Sequence, residues 1–314
     1  MSTAAATTPV GSHPVPATTP HRGQKSATRH SRWMGWAFVG PFMVVFLLMI
    51  GAPILYALYM SLFQDKLVGG TTFVGLANYV TLMGDAQFWE GARRVLVFFV
   101  IQVPLMLFLA LIAALAIDSV RLRGRGFFRI MLFLPYAVPG VVAVLIWGFM
   151  YGDQVGLMKY VNSFLHTSID PLSSQLILFA MANIQGWCFM GYNMLIMYSG
   201  LKTIPNDLYE AAEIDGAGSF QIVRAIKIPA IRGQILISFI FSIIGSLQLF
   251  NEPNLLKPLR DGVITSYYTP NMYAYNLAMN GQQFNYSATV ALVMGVMTAI
   301  IAYVVQTRSM KSEA

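Results

Sequence analysis

Charged residues are scarce in this sequence. Lys, Arg, Asp and Glu make up 11 % of the 314 residues, whereas an ordinary soluble domain carries about 25 %. Hydrophobic residues reach 56 %. A soluble fold of this length could not cover its surface with so few charges. The composition therefore excludes a soluble or disordered chain and predicts an integral membrane protein.

Side chains that carry redox, metal or nucleophilic chemistry are also few. The one cysteine, Cys188, excludes a disulfide scaffold and is interpreted as a small packing residue. The histidines show no metal-ligand spacing, and there is no Walker A loop or Gly-rich dinucleotide motif. No acid, base or nucleophile cluster lies near the end of an apolar run. We therefore predict that this chain is not an enzyme and has no catalytic residue, metal site or cofactor of its own.

Long apolar runs are what the sequence does contain. A membrane-spanning helix needs roughly 20 apolar residues, because hydrocarbon offers no water to the backbone. The runs that meet this length, all without Lys, Arg, Asp or Glu, are 33–61, 95–117, 130–151, 175–199, 235–250 and 287–305. Six membrane-spanning helices are therefore predicted, and Pro41 and Pro53 predict kinks in the first.

The basic residues predict the orientation of the chain. They concentrate in the N-terminal tail, in the loops that follow the second and fourth runs, and at the C-terminus. The positive-inside rule then predicts a multi-pass protein of the inner or plasma membrane with both termini in the cytoplasm. Residues 1–32 are rich in Thr, Ala, Pro and Ser and are predicted to be disordered. Their basic side chains are expected to attract lipid headgroups rather than nucleic acid.

The cytoplasmic stretch 201–234 has a helical pattern of its own. Pro205 and the two residues after it form a helix-start signal, and Gly216 is a typical residue for the helix end. Ser219 is a suitable cap for a second helix, which is expected to end before Pro229. Two helices this short are unstable alone in water and need a partner. The paired alanines 211 and 212 let another surface approach the backbone closely.

The spacing within this stretch resembles the EAA motif of ABC-importer permeases. Glu210-Ala211-Ala212 is followed after three residues by Gly216, after nine more by Ile226, and then by Ile228 and Pro229. The family usually has Leu where this chain has Ile228. The segments 73–79, 126–129, 133–135 and 209–217 are similar to the sugar-transport branch, which includes the maltose and glycerol-phosphate permeases. The resemblance covers nearly the whole chain after the tail.

The resemblance implies an all-α membrane protein with the type I ABC-importer permease fold, six transmembrane helices and a cytoplasmic coupling helix. The implied regions are a tail at 1–32, a first helix and outer loop at 33–92, a core permease domain at 93–306 that contains the 201–234 loop, and a C-terminus at 307–314. The coupling helix of this family docks on a cytosolic ATPase dimer, which binds ATP and Mg. The residues implied at that contact are Glu210, Ala211, Ala212, Asp215, Gly216, Ile226 and Pro229, with Arg224 at the rim.

A path for a sugar needs hydrogen-bonding groups for hydroxyls and flat apolar faces for the rings. Polar and aromatic residues of the fourth and fifth runs meet this need: Asn183, Gln185, Trp187, Tyr192, Asn193, Gln248 and Asn251. Polar residues within spans usually face the bundle interior, although many bond only a neighbouring helix. The absence of charge within the runs argues against an ion relay and favours a neutral solute.

The resemblance, together with these residues, implies a transport subunit that provides half of the path for a di- or oligosaccharide. The partners that the resemblance implies are a second permease subunit, the ATPase and an extracellular or lipid-anchored solute-binding protein. The Tyr-rich outer loop 252–286 either receives the binding protein or caps the bundle. The alternative function is a stand-alone secondary transporter or channel for a neutral solute, which predicts inverted repeats and a coupling acid within a span. The sequence does not specify the sugar.

Overall fold

The computed structural model describes residues 24–66, 69–119, 122–153, 155–260 and 262–311. Residues 1–23 of the predicted disordered tail lie outside the described residues. The prediction of disorder is wrong for 24–32, which form the beginning of α1. The chain divides into two compact units, Met1–Leu55 and Tyr56–Ala314. The helices and strands in chain order are α1 (Gln24–Phe46), α2 (Ala52–Ser61), β1 (Phe63–Lys66), β2 (Gly70–Phe73), α3 (Ala77–Met83), α4 (Ala86–Asp118), α5 (Arg125–Phe133), α6 (Gly140–Tyr151), α7 (Leu157–Leu165), α8 (Ile177–Leu201), α9 (Asn206–Ile214), α10 (Ser219–Ile222), α11 (Ile228–Ala230), α12 (Arg232–Leu247), α13 (Asn251–Leu256), α14 (Pro270–Met279) and α15 (Phe284–Lys311).

Each of the six predicted spans overlaps one or more helices. Among the described residues, three helices are long and apolar enough to cross a membrane: Trp36–Ser61, Ala86–Asp118 and Phe284–Arg308. Two bent helix pairs raise this number to five if each pair is one span. The remaining predicted span is α8, whose 25 residues extend about 37 Å at about 1.5 Å per residue. Its polar side chains lower its mean hydropathy below that of the other spans.

Proline shapes the first span less sharply than expected. α1 continues through Pro41 without a break. A π turn at Leu47–Gly51 precedes Pro53, and the N–H group of Ala52 donates to the carbonyl of Leu47. The π turn thus shifts the backbone hydrogen bonds just before Pro53, which has no N–H group to donate.

The prediction of one unbroken helix at 130–151 is wrong. α5 ends at Phe133, a 3₁₀ turn covers Leu134–Ala137, and α6 starts at Gly140. The two halves are bent by 97°. Pro135 and Pro139 explain the break, because neither has an N–H group for the helix ladder and Pro139 favours the extended backbone found at Val138.

The expected end of the second loop helix before Pro229 is also wrong. α10 runs through a π turn at Val223–Lys227 into α11, which includes Pro229 and ends at Ala230. The π turn ends two residues before Pro229 and accommodates a residue that has no N–H group for the helix ladder. A bend of 64° then leads into α12. α12 ends at Leu247, so the fifth span is shorter than predicted at its C-terminal end.

The core of the second unit lies between α4 and α8. Phe98 and Val103 of α4 and Met194 of α8 are fully buried in it. Glycine allows other elements to approach α8 closely. A Cβ atom on Gly191 would lie 1.9 Å from the carbonyl oxygen of Leu132, near the end of α5. This contact fixes α5 against the polar part of α8.

Candidate functional site

The 201–234 loop contains the predicted short helix and its glycine end. α9 covers Asn206–Ile214, and Gly216 has a φ angle of +79°. The N–H group of Gly216 donates to Glu213 O at 3.0 Å, and that of Ala217 donates to Ala212 O at 2.9 Å. These two bonds form a Schellman motif, in which a left-handed residue closes the helix. Gly216 is therefore required for the shape of the turn.

The same turn exposes large apolar side chains. Ile214 is 86 % exposed and Phe220 is 76 % exposed, one on each side of the glycine. Large apolar side chains exposed in a polar loop are a feature of protein-interaction surfaces. The sequence reasoning missed both residues, although apolar residues flanking a glycine turn in a polar loop are the signal that could have identified them.

An open concavity of about 550 Å³ lies beside the turn. It is lined by Asp215, Gly216, Ala217, Phe220, Gln221, Arg224 and Ala225. The structure thus brings Asp215 and Gly216 together with the predicted rim residue Arg224. The other coupling residues lie outside this concavity: Glu210, Ala211 and Pro229 are exposed, whereas Ala212 and Ile226 are partly buried.

A second cavity, here called the polar cavity, lies between α4, α8 and α12 and has a volume of about 230 Å³. Its lining consists of Gln102, Met106, Tyr136, Gln185, Phe189, Tyr192, Asn193, Phe241, Ser242, Gly245 and Ser246. Gln185, Tyr192 and Asn193 are predicted path residues. Gln102 and Tyr136 were missed; the signal for Gln102 is an amide within the second apolar run.

Two amide side chains that line the polar cavity have oxygen atoms without a hydrogen-bond partner among the described residues. The Gln102 amide nitrogen donates to the sulfur of Met106 at 3.2 Å, and the Asn193 amide nitrogen donates to Phe189 O at 3.0 Å. The side-chain oxygens of Gln102 and Asn193 are buried and have no hydrogen-bond partner among the described residues. Buried polar atoms are normally paired. These two oxygens are therefore unpaired acceptors beside the polar cavity.

Aromatic rings form one wall of the polar cavity. Tyr136 and Tyr192 stack with ring centroids 4.8 Å apart and an interplanar angle of 15°. Phe189 packs edge-on against Tyr136 at 5.9 Å. The wall thus combines flat apolar faces with the nearby amide oxygens, the two kinds of group expected for sugar recognition.

The remaining predicted path residues lie elsewhere. Asn183 donates to the hydroxyl of Tyr151 at 2.8 Å, and Trp187 packs edge-on against Trp147 at 5.9 Å. These two residues share a face of α8 because they are four positions apart. Gln248 lines a separate groove beside α15, and Asn251 is exposed at the start of α13.

Glu252 of α13 reaches this region from the predicted outer loop. Its carboxyl group lies close enough to the side chain of Gln185 to interact with it. One of the polar-cavity amides therefore adjoins an acid that lies outside the apolar runs. The sequence reasoning missed this contact because the two residues are far apart along the chain.

The Tyr-rich outer loop packs against the beginning of α4. Tyr273 donates to Asp85 at 2.6 Å, and Arg94 lies 4.7 Å from the ring centre of Tyr268. Tyr275, in contrast, is 45 % exposed. Nearby lies an outer cavity of about 700 Å³, lined by Gln64, Asp65, Asn78, Thr81, Asp85, Gly281, Gln282, Gln283, Asn285 and Tyr286. Some of the tyrosines thus hold the bundle together, while the cavity remains open.

Comparisons with known proteins identify the family. Residues 106–308 match the binding-protein-dependent transport system inner membrane component. The lactose transport system permease protein LacF of Rhizobium radiobacter is 32 % identical over 291 residues, which cover 89 % of this chain and 95 % of that protein. The trehalose/maltose transport system permease protein MalF of Thermococcus litoralis is 31 % identical, with 69 % and 75 % covered.

A solved structure shows the same fold at lower identity. A chain of a bacterial ABC transporter involved in the import of the acidic polysaccharide alginate superposes with a TM-score of 0.80 at 18 % identity, covering 92 % of this chain and 99 % of that chain. The all-α architecture expected from the resemblance is therefore confirmed. The chain belongs to the family of inner-membrane components of binding-protein-dependent transport systems.

Proposed function

We propose that this chain is one of two membrane-spanning subunits of an ATP-driven importer and forms half of the path for a neutral di- or oligosaccharide. The 201–234 loop carries the proposal, because it exposes Ile214 and Phe220 beside a glycine-dependent turn. A loop in water with these side chains needs a protein partner. The partner expected from the family resemblance is a cytosolic ATPase dimer, which would supply the ATP and Mg chemistry that this permease lacks.

The polar cavity supports a neutral sugar as the solute. None of the described residues that line it is charged, and the buried oxygens of Gln102 and Asn193 can accept hydrogen bonds from hydroxyls. The stacked Tyr136 and Tyr192 offer flat faces to a sugar ring. Relatives named for lactose, for trehalose and maltose, and for diacetylchitobiose in Streptomyces coelicolor support the same class.

The size of the polar cavity supports a path shared with another subunit. Its volume of about 230 Å³ is below the lower end of about 300 Å³ for ordinary ligand sites. A second permease, different from this one, would complete the path. In this proposal both termini lie in the cytoplasm, and residues 93–306 form the core domain that follows the tail and the 33–92 segment.

The outer cavity is assigned to the external solute-binding protein. Its lining is rich in amide and carboxylate groups, including Gln64, Asp65 and Gln283. The amide nitrogen of Asn285 is buried there without a hydrogen-bond partner among the described residues. A docking protein could pair with these groups while it releases the sugar towards the membrane.

The coupling assignment is tested by uptake with the complete transporter, reconstituted with its second permease, ATPase and binding protein. Gly216→Leu should abolish uptake while the protein remains inserted, because a left-handed backbone costs an L residue about 1–2 kcal/mol and the side chain would enter the concavity. Gly218→Ala is the matched control, since Gly218 has an ordinary φ of −73°. Normal uptake by Gly216→Leu would refute the assignment.

The sugar path is tested by comparing two faces of α8. Asn193→Ala and Tyr192→Ala should raise the KM of uptake, whereas Asn183→Ala, which lies outside the polar cavity, should leave it near that of the unmodified protein. Equal effects at all three positions would contradict the proposed path.

ATP dependence separates the importer from the secondary transporter. Uptake by the complete transporter should require ATP hydrolysis and should survive proton uncouplers while ATP is maintained. Collapse of uptake under uncouplers would favour the secondary transporter instead.

A further inference from the structure

Asp118 at the end of α4 joins two lysines from different parts of the chain. Its carboxylate lies 2.6 Å from the Nζ atom of Lys227 and 3.0 Å from that of Lys202. The side chains of Asp118 and Lys227 are 7 % and 14 % exposed, whereas Lys202 is 49 % exposed. The Asp118–Lys227 pair is therefore the buried part of this cluster.

The two lysines belong to separate elements. Lys202 caps the end of α8, and Lys227 is the last residue of the π turn that precedes α11. The bend into α12 follows within a few residues. One carboxylate thus links the ends of α4 and α8 to the segment that leads directly into the fifth span.

The cluster also reaches α9. The Nζ atom of Lys227 lies 5.2 Å from the ring centre of Tyr209, within the range of a cation–π interaction. Burial and the nearby charge of Asp118 raise the pKa of Tyr209. Tyr209 is the neighbour of Glu210, so the contact starts at the helix that carries the EAA motif.

The charge of Asp118 does little to stabilise α4 itself. A negative charge at a helix C-terminus is disfavoured by the helix dipole, and a buried ion pair adds little net stability compared with apolar packing. The π turn changes the direction in which Lys227 leaves the helix, and such wide turns are frequent at functional sites. The cluster is therefore better explained by a role in geometry than by a role in stability.

We propose that Asp118 is a positioning residue that transmits movement of α9, through Tyr209 and Lys227, to α4 and α8. The inference rests on the proposed importer function. When an ATPase moves α9, Tyr209 displaces Lys227, and the carboxylate of Asp118 makes the ends of α4 and α8 follow. Without this link, α9 still binds the ATPase, but its movement is only weakly passed to the spans.

The test uses the complete transporter in liposomes and measures sugar uptake and ATP hydrolysis on the same sample. Asp118→Asn and Lys227→Gln should each lower the sugar taken up per ATP hydrolysed by about tenfold, within the range typical of coupling between two sites. Asp118→Glu should restore much of this ratio. Lys202→Gln should lower the ratio less than Lys227→Gln, because it removes the more exposed lysine and leaves the buried Asp118–Lys227 pair in place.

The ratio separates coupling from folding. A merely structural role would reduce the amount of assembled transporter and lower both rates together, which leaves the ratio unchanged. The double variant Asp118→Asn/Lys227→Gln should be no worse than either single variant, because both changes remove one interaction. If Asp118→Asn does not assemble, Lys227→Gln decides the question.

Two negative results have different meanings. If the unmodified transporter shows no ATP-dependent uptake, the proposed function fails. If it transports normally and Lys227→Gln keeps the unmodified ratio, the importer assignment stands and the role of Asp118 is refuted.

Discussion

α4 carries an aspartate at each end, and the two carboxylates are held by different chemistry. Asp85, directly before the helix, accepts hydrogen bonds from the hydroxyls of Tyr273 at 2.6 Å and Tyr286 at 2.8 Å. Asp118, the last residue, is held by Lys227 and Lys202. Neutral donors thus fix the Asp85 end of α4, which is the outer end in the proposed orientation, to α14 and α15. Cations fix the Asp118 end, which is the inner end in that orientation, to the 201–234 loop and α8.

The helix dipole explains why the two ends need different partners. Asp85 caps α4, and its carboxylate accepts from the N–H groups of Gln87 at 2.9 Å and Phe88 at 3.4 Å. Burial raises the pKa of Asp85, but the tyrosine and backbone hydrogen bonds outweigh this effect and leave it below its usual value. A negative charge is favoured at this end and disfavoured at the other. The N-terminus of α4 therefore stabilises the Asp85 carboxylate directly. The Asp118 carboxylate depends instead on where the neighbouring 201–234 loop lies.

The largest expected effect on stability is at the inner end. Asp118→Ala should lower the free energy of unfolding by about 3 kcal/mol, because it leaves the buried Lys227 without a counter-charge. Lys202→Ala should cost less than about 1 kcal/mol, because an exposed ion pair contributes little. Chemical unfolding of the purified chain in detergent measures both. Equal losses would contradict the distinction between the buried and the exposed lysine.

Removal of the outer carboxylate should have the next largest effect. Asp85→Ala should cost about 2 kcal/mol, because it removes the helix cap and leaves two tyrosine hydroxyls without their acceptor. Asp65→Ala is the control, since Asp65 is exposed on β1 and also lines the outer cavity. The same unfolding measurement applies. A loss no greater than that of the control would mean that Asp85 does not hold this end.

Tyr273 and Tyr286 should each contribute to the free energy of unfolding, but only while Asp85 is present. Tyr273→Phe and Tyr286→Phe should each cost about 1 kcal/mol, the value of one net hydrogen bond. In the Asp85→Ala background, either change should add little, because the interaction is already lost. Tyr275→Phe serves as the exposed control. Full additivity in the double variants would show that the tyrosines act through other contacts.

The smallest expected effect is that of salt, which should change the contribution of Asp118 to stability but not that of Asp85. Raising the salt concentration from about 0.1 M to about 1 M shortens the screening length from about 10 Å to about 3 Å. The stability difference between the unmodified chain and Asp118→Ala should then shrink by about 0.5 kcal/mol, because buried pairs are screened only partly. The difference for Asp85→Ala should stay constant. A salt effect of the same size at both ends would remove the distinction.

Local features of the fold were predictable from the sequence. The spans follow from apolar runs, and the end of α9 follows from a glycine that can adopt a positive φ angle. The break in the third span was not predicted, although Pro135 and Pro139 are visible in the sequence. Proline in a membrane helix produces anything from a slight bend to a complete break, as the uninterrupted helix around Pro41 shows.

Only some of the residues that line the polar cavity were identified from the sequence. The sequence reasoning placed Gln185 and Asn183 in one path, but they lie on different faces of α8, and only the first lines the polar cavity. The ion pairs of Asp118 were not predicted, because its partners Lys202 and Lys227 are 84 and 109 positions further along the chain. Partner choice over such distances depends on how the helices pack, which a local pattern does not contain.

The sequence by itself determined the class of the protein, the positions of the spans and the turn at Gly216. These properties depend on transfer between water and hydrocarbon and on the backbone angles of single residues, both of which are local. Only the tertiary structure decided which polar side chains face the cavity and which charges meet at the ends of α4. These arrangements arise from close helix contacts, such as that of Gly191 with Leu132, and therefore depend on residues far apart in the chain.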